Sequence, residues 1–269
     1  MRRLAEAVAK LSAFIFDMDG VLYLGDVPIK GAAEAVSHLR KKGKKLSFVT
    51  NKSTYTRREY SLKLAQMGII AHESEIVTSA YGTSIYLRRS SPGAKIYVVG
   101  ESGLKRELGQ AGFKILTDAR AKEANFVVVG MDRTITYKKL TSGLRALLAG
   151  AEFIATNPDP IYPTETGISP GAGAIIGALV GSSGKRPKVV IGKPSPQMIK
   201  ISLGMLGSTP PETAIVGDKL ETDVLVGKRV GLTTILVLTG VSSRRDVEKV
   251  RGTRMAPDFV IRSIEDLVV

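Results

Sequence analysis

Short apolar runs alternate with helical periodicity over almost the whole chain, and this alternation constrains the fold more than any other feature. Runs rich in Ile, Val, Leu and Phe occur at 13–16, 46–49, 95–99, 126–129, 153–155, 189–191, 214–216, 234–238 and 259–261. Each is too short for a buried helix and suits a strand covered on both faces. Between them, 32–42, 57–67, 103–111 and 138–148 carry apolar residues at helical spacing. Parallel neighbours need a crossover, so strand–helix alternation predicts parallel sheets with helices on both faces. The expected class is α/β, built on a doubly wound parallel sheet. The strands are too many for one sheet of ordinary size, which predicts two α/β units.

Composition narrows the choices. With 269 residues, 43% hydrophobic and 24% charged, the chain has the length for two units and the balance of a soluble globular protein. No apolar run approaches the ~18 residues of a membrane-spanning helix. The start, Met1-Arg2-Arg3-Leu4-Ala5-Glu6, has no signal-peptide h-region or cleavage site. A cytoplasmic protein with no membrane partner is expected. Cysteine is absent, which excludes disulfides, thiolate catalysis and cysteine–metal sites. Only His38 and His72 could offer imidazole; their helical and turn-like settings point to surface or packing roles. The formal charge of +14 attracts anions, whether nucleic acid or phosphorylated metabolites. The one dense basic run, Arg40-Lys41-Lys42-Gly43-Lys44-Lys45, sits at a predicted helix end, where cations complement the dipole. No aromatic-studded basic motif accompanies it, so nucleic acid is not expected as a partner.

Four strings place reactive side chains just after strand-like runs. In Phe14-Ile15-Phe16-Asp17-Met18-Asp19-Gly20-Val21, two carboxylates leave the carboxyl end of a strand, where open α/β sheets bind ligands. Two acids there can hold a hard cation and serve as nucleophile and acid. In Leu46-Ser47-Phe48-Val49-Thr50-Asn51, the Thr50 hydroxyl and the backbone N–H groups after it can hold phosphate oxygens, although a turn or helix cap would use the same residues. In Val189-Val190-Ile191-Gly192-Lys193-Pro194, Lys193 can neutralise a phosphate as a point charge, or be a plain surface lysine. In Ala214-Ile215-Val216-Gly217-Asp218-Lys219-Leu220-Glu221-Thr222-Asp223, Asp218 can complete a magnesium site with Asp17. Asp223 can orient Lys193 or a metal-bound water, or simply charge a helix N-terminus.

These residues lie before position 52 and after position 192. The simplest organisation is a domain inserted into another: a core of 1–78 and 190–269, and an inserted cap of 79–189. Gly181-Ser182-Ser183-Gly184 reads as a connection near the return point. In the inserted part, the glycine-rich stretch 167–173 reads as a loop facing the site, or else as a helix start.

The four strings in this order resemble the haloacid dehalogenase-like phosphatases. Thr156-Asn157-Pro158-Asp159 and Leu236-Val237-Leu238-Thr239-Gly240-Val241 narrow the resemblance to the NagD-type group, which includes nitrophenyl, phosphoglycolate and glycerol phosphate phosphatases. Lys52 departs from that group, which usually has a second Asn there. The resemblance implies a Rossmann-like core with a large inserted α/β cap, and a homodimer formed through the cap. It also implies Mg²⁺-dependent hydrolysis of a small phosphorylated metabolite through an aspartyl-phosphate. Asp17 is then the nucleophile and Asp19 the general acid and base. Asp17, Asp218 and the Asp19 backbone carbonyl hold the metal, with Asp223 supporting it. Thr50, Asn51 and Lys193 bind the phosphate, and Gly20 lets backbone approach it. Asn157 and Asp159 are the expected cap contacts to substrate. Phosphotransfer to another alcohol, as in a mutase, would use the same residues. A non-catalytic metabolite- or nucleic-acid-binding protein would not need a nucleophile and an acid together.

Overall fold

Every residue from Ala13 to Phe16 is fully buried, so the strand Ala13–Asp17 is covered on both faces, as a central strand of a parallel sheet must be. It pairs in parallel with Lys45–Thr50 and with Thr213–Gly217. In the computed structural model, which describes residues 2–164 and 167–268, these strands belong to a six-stranded sheet. Its order is Phe259–Ile261, Thr233–Val237, Thr213–Gly217, Ala13–Asp17, Lys45–Thr50, Ile76–Thr78. Phe14, Phe16 and Phe48 stack along it, with ring centroids 6.1 and 5.9 Å apart. They join one apolar cluster with Leu4 and Val8 of helix Arg2–Lys10, Val36 and Leu39 of helix Ala32–Lys41, and Tyr60 and Leu64 of helix Arg57–Gln66.

The chain divides into two compact units. The six-stranded sheet organises the first, Met1–Thr50, Arg58–Val77 and Met198–Val269; Asn51–Arg57 and Thr78–Gln197 form the second. The second is built on a five-stranded parallel sheet in the order Val189–Val190, Glu152–Ala155, Phe126–Val129, Lys95–Val99, Lys114–Ile115. Tyr97, Val99, Val127, Val129 and Phe153 pack with Ala146 and Leu147 of helix Tyr137–Leu148 and with Ile175 and Leu179 of helix Ala172–Ser183. Both sheets are α/β, as expected, and none of the helices among the described residues is long and apolar enough to cross a membrane.

In each sheet the chain reverses its direction of travel once. In the first it moves outward from Ala13–Asp17 to Ile76–Thr78, then returns on the other side at Thr213–Gly217. In the second the reversal falls between Lys95–Val99 and Phe126–Val129. Such switch points open a crevice beyond the carboxyl ends of the strands.

Two local expectations are corrected. Residues 181–184 are the end of helix Ala172–Ser183, not a connection. The hydroxyls of Ser182 and Ser183 donate back to Ala178 and Leu179 carbonyls at 2.9 and 2.6 Å, and Gly184 ends the helix at φ 69°, where a side chain would be strained. The stretch 167–173 is not a loop: Gly167–Pro170 pairs antiparallel with Ile161–Thr164, and the helix begins at Ala172.

Candidate active site

Three carboxylates converge at the switch point of the six-stranded sheet. Asp17 ends the Ala13–Asp17 strand, Asp218 follows Thr213–Gly217, and Asp223 lies one helical turn further on. Each offers an oxygen within 4.8 Å of the others. Asp218 is 5% exposed and Asp223 1%. Carboxylates held this close and this dry repel one another unless a cation lies among them. An all-oxygen acidic set is the donor chemistry of Mg²⁺ rather than of a softer metal, so the residues present fit the expected ion.

The backbone around the trio is built to hold it. The Met18 N–H donates to Asp17 Oδ1 at 2.8 Å. The chain then folds into a tight turn in which the Gly20 N–H donates to the Tyr23 carbonyl at 2.8 Å and the Leu22 N–H to the Met18 carbonyl at 2.8 Å. This turn carries Asp19, half-buried, and needs a positive φ of 81° at Gly20. A Cβ at Gly20 would also overlap the Asp218 carboxylate, as would one at Gly240. Asp223 accepts from the Lys219 N–H at 3.3 Å and the Thr222 hydroxyl at 3.2 Å. Tyr23, buried beside this turn, has its phenol pushed well above its ordinary pKa by burial, then by Tyr60 and by Asp19 and Asp17; it remains a neutral wall to the acids.

The loop after Thr233–Val237, to which the sequence assigned no role, bonds both acid loops. The Thr239 hydroxyl donates to the Gly20 carbonyl at 2.6 Å. The Val241 N–H donates to Asp218 Oδ2 at 2.7 Å, and the Ser242 N–H to the Asp218 carbonyl at 2.9 Å. The Ser242 hydroxyl accepts from the Leu220 N–H at 3.1 Å. The available signal was a strand followed by Thr-Gly, the same strand-then-turn form as the other four strings.

The remaining expected residues come together in the second unit, except for Thr50, which is buried at the end of Lys45–Thr50 in the first. Asn51 pairs with Lys193 through both groups of its side-chain amide. Its Oδ1 accepts the Lys193 N–H at 2.8 Å, and its Nδ2 donates to the Lys193 carbonyl at 3.0 Å. Nδ2 also donates to Asp159 Oδ2 at 2.8 Å. Asn157 donates to the Asn51 carbonyl at 2.8 Å and to the Thr156 hydroxyl at 3.2 Å, and its Oδ1 accepts the Asp159 N–H at 3.2 Å. Lys193 is 2% exposed, which rules out a plain surface lysine, and a cis peptide bond joins it to Pro194. Expected site residues thus form two groups: Asp17, Asp19, Gly20, Thr50, Asp218 and Asp223 in one unit, and Asn51, Asn157, Asp159 and Lys193 in the other.

Comparison with known proteins identifies the family. Residues 14–114 match the model of the haloacid dehalogenase-like hydrolase family, and 190–267 match a second model described as HAD-hydrolase-like. An acid sugar phosphatase of Staphylococcus aureus is 42% identical over 256 residues, covering 95% of this chain and 96% of that protein. A p-nitrophenyl phosphatase from Archaeoglobus fulgidus superposes with a TM-score of 0.90 at 40% identity, covering 96% of this chain and 98% of that one. NagD from Escherichia coli K-12 superposes with a TM-score of 0.85 at 37% identity, over 96% and 98%. With its acid trio at the sheet's switch point and these relatives along nearly its whole length, the chain belongs to the haloacid dehalogenase-like hydrolases, in the group that contains NagD and the nitrophenyl phosphatases.

Proposed function

We propose that this enzyme hydrolyses phosphate monoesters of small metabolites, sugar phosphates among them, through a phosphoryl-aspartate on Asp17. The observation that carries the reading is the convergence of Asp17, Asp218 and Asp223 at the carboxyl ends of neighbouring strands. Asp17, Asp218 and the Asp19 backbone carbonyl would hold Mg²⁺, with Asp223 beside them, and the ion would supply the positive charge that lets a carboxylate meet a phosphate. An Asp17 oxygen attacks phosphorus as the bond to the leaving alkoxide breaks. Asp19, two residues on and carried by a rigid turn, gives its proton to that alkoxide. It then takes a proton from the water that attacks the phosphoryl group, which releases phosphate and restores Asp17. Gly20, lacking a side chain, leaves room for the Asp218 carboxylate, and its backbone is assigned to the approach to the phosphate.

Thr50, the Asn51 backbone and Lys193 are assigned to the phosphate oxygens, where donors and positive charge stabilise the transition state. Their place in the motif order supports this. Asn157 and Asp159 spend hydrogen bonds on Asn51, so the reading gives them the task of fixing Asn51. The A. fulgidus and S. aureus relatives carry the names of nitrophenyl and sugar phosphatases, which supports small monoesters as the substrate class.

The test is phosphate release from p-nitrophenyl phosphate and a panel of sugar phosphates, with Mg²⁺ and with EDTA. Turnover that needs Mg²⁺ and disappears in Asp17→Asn is expected. Activity that survives the substitution would rule out Asp17 as nucleophile.

A further inference from the structure

We propose that Thr239 is a positioning residue for the acid trio: it ties the turn carrying Asp19 and Gly20 to the loop that orients Asp218, and so sets the trio's affinity for a divalent cation. The inference rests on the phosphatase reading above.

The sheet itself does not fix the distance between the two acid loops. The register between Ala13–Asp17 and Thr213–Gly217 ends at Phe16 and Val216, so Asp17 and Asp218 both lie beyond the residues that these two strands pair, although Asp17 still pairs with Val49 on its other side. Past that point the loops are held by other contacts, and residues 239–242 supply them to both sides. Thr239 reaches Gly20, while Val241 and Ser242 reach Asp218. The two loops meet here, since a Cβ on Gly20 would overlap the Asp218 carboxylate. The segment places one donor on the Gly20 carbonyl and another on that carboxylate. The Asp218 carboxylate is also flanked by Gly240, whose missing Cβ leaves it room.

Mg²⁺ demands near-ideal octahedral geometry, so a small relative shift of the two loops is felt in affinity. Outer groups that orient metal ligands typically govern affinity by about 10–100-fold. Thr239 is such a group for the pair of loops, acting through the Gly20 carbonyl next to Asp19.

The experiment is calorimetric titration of Mg²⁺ into the substrate-free full chain, for the wild type, Thr239→Val, Thr239→Ser and Thr213→Val, with a thermal melt of each. Thr213→Val is the control. It deletes a buried hydroxyl that donates to the Thr209 carbonyl at 2.8 Å, at the far, amino end of the strand that leads to Asp218. The expected result is Mg²⁺ binding about tenfold weaker in Thr239→Val, near-wild-type binding in Thr239→Ser, and unchanged affinity in Thr213→Val whatever its melting temperature. In turnover, the Mg²⁺ concentration for half-maximal rate should rise in Thr239→Val more than the substrate KM. Wild-type affinity in Thr239→Val overturns the proposal and leaves the phosphatase reading intact. So does an equal loss in Thr213→Val, which would make the effect one of general stability, or a failure of Thr239→Ser to rescue. A wild type that binds no Mg²⁺ overturns this proposal and the metal part of the phosphatase reading together.

Discussion

The two sheets are built alike, yet their carboxyl ends are used in opposite ways. Beyond the six-stranded sheet, three carboxylates converge on one another and glycines keep side chains away from them. Beyond the five-stranded sheet, the crevice is filled by the chain's own segment 51–57. Gly103, Gly130 and Gly192, which follow three of its strands, pack so closely on the Thr54 backbone, the Ser53 hydroxyl and the Asn51 amide that a Cβ at any of them would overlap. Several acids of this unit form ion pairs. Glu101 pairs with Arg133 at 2.8 Å, buried Asp132 with Lys139 at 2.7 Å, and Glu107 with Arg57 at 3.7 Å, and Arg57 in turn lies over the Tyr81 ring. A parallel α/β sheet thus offers a ligand crevice by its topology alone. Which side chains line it, and whether the chain itself occupies it, decides between reactivity and stability.

That contrast is open to direct attack. The largest effect should come from Asp17→Asn, which should cut kcat by more than about a thousandfold while leaving the melting temperature close to that of the wild type, because the substitution keeps the side chain's shape. A fall in melting temperature would instead make Asp17 a stabilising group and erase the contrast. Next comes a pair of glycines. Gly240→Ala forces a Cβ against Asp218 and should lower kcat/KM by about a hundredfold, in the range for disturbed metal ligands, beside an overpacking cost of about 1–3 kcal/mol. Gly192→Ala forces one against Asn51 and Asn157 and should cost about 1–3 kcal/mol of stability, as overpacking does. Steady-state kinetics beside denaturant titration separates the two, and swapped kinetic outcomes would break the comparison.

Asn51→Ala should be similar in kind. It removes the amide that bonds both backbone groups of Lys193 and Asp159, and a loss of about 2–3 kcal/mol follows if each of those bonds is worth about 1 kcal/mol. A variant as stable as the wild type would show that segment 51–57 does not depend on Asn51 for its seat. The smallest effect is pH-dependent. Burial pushes the Glu101 carboxyl up, but hydrogen bonds and charge from Arg133 outweigh it and hold the group below its ordinary value. A carboxylate with a depressed folded pKa contributes stability that is complete above its unfolded pKa, about 4.3, and is lost as pH falls through the folded value. Arg133 is half exposed, so water screens the pair and its worth is under about 1 kcal/mol. Glu101→Gln should therefore melt slightly lower than the wild type near neutrality and converge with it in acid. A gap that persists in acid would mean that shape rather than charge holds Glu101.

Much of this was legible in the chain. All the sequence-predicted strands are present within a residue or two, because a strand buried on both faces must be continuously apolar, as Phe126–Val129 and Ala13–Phe16 are. Other elements were hidden. Helix Ser79–Ser90 buries Ser79, Ala80, Gly82, Thr83 and Ser84, small and polar residues that show no apolar stripe. The strand Ile76–Thr78 is too short to show a period. In the site, Asp17, Asp218 and Asp223 stood out because acids at strand ends are chemically unusual. Thr239 belonged to a string that could be noticed but not assigned, and Asn157 and Asp159 were assigned to substrate with no sign of their bonds to Asn51, since a hydroxyl or amide is equally at home in any turn.

The sequence by itself determined the α/β class and the buried, parallel character of Ala13–Asp17, and it singled out the acids to which the chemistry is assigned as a proposal, because local hydrophobicity and residue type are written one position at a time. Only the tertiary structure decided that residues 239–242 hold Gly20 and Asp218, more than twenty residues from either acid loop. It also decided that Asn157 and Asp159 bind Asn51, and that segment 51–57 fills the second crevice. Those are pairings between distant positions, and a hydrogen bond's partner is chosen by the packed geometry, not by the residue that donates it.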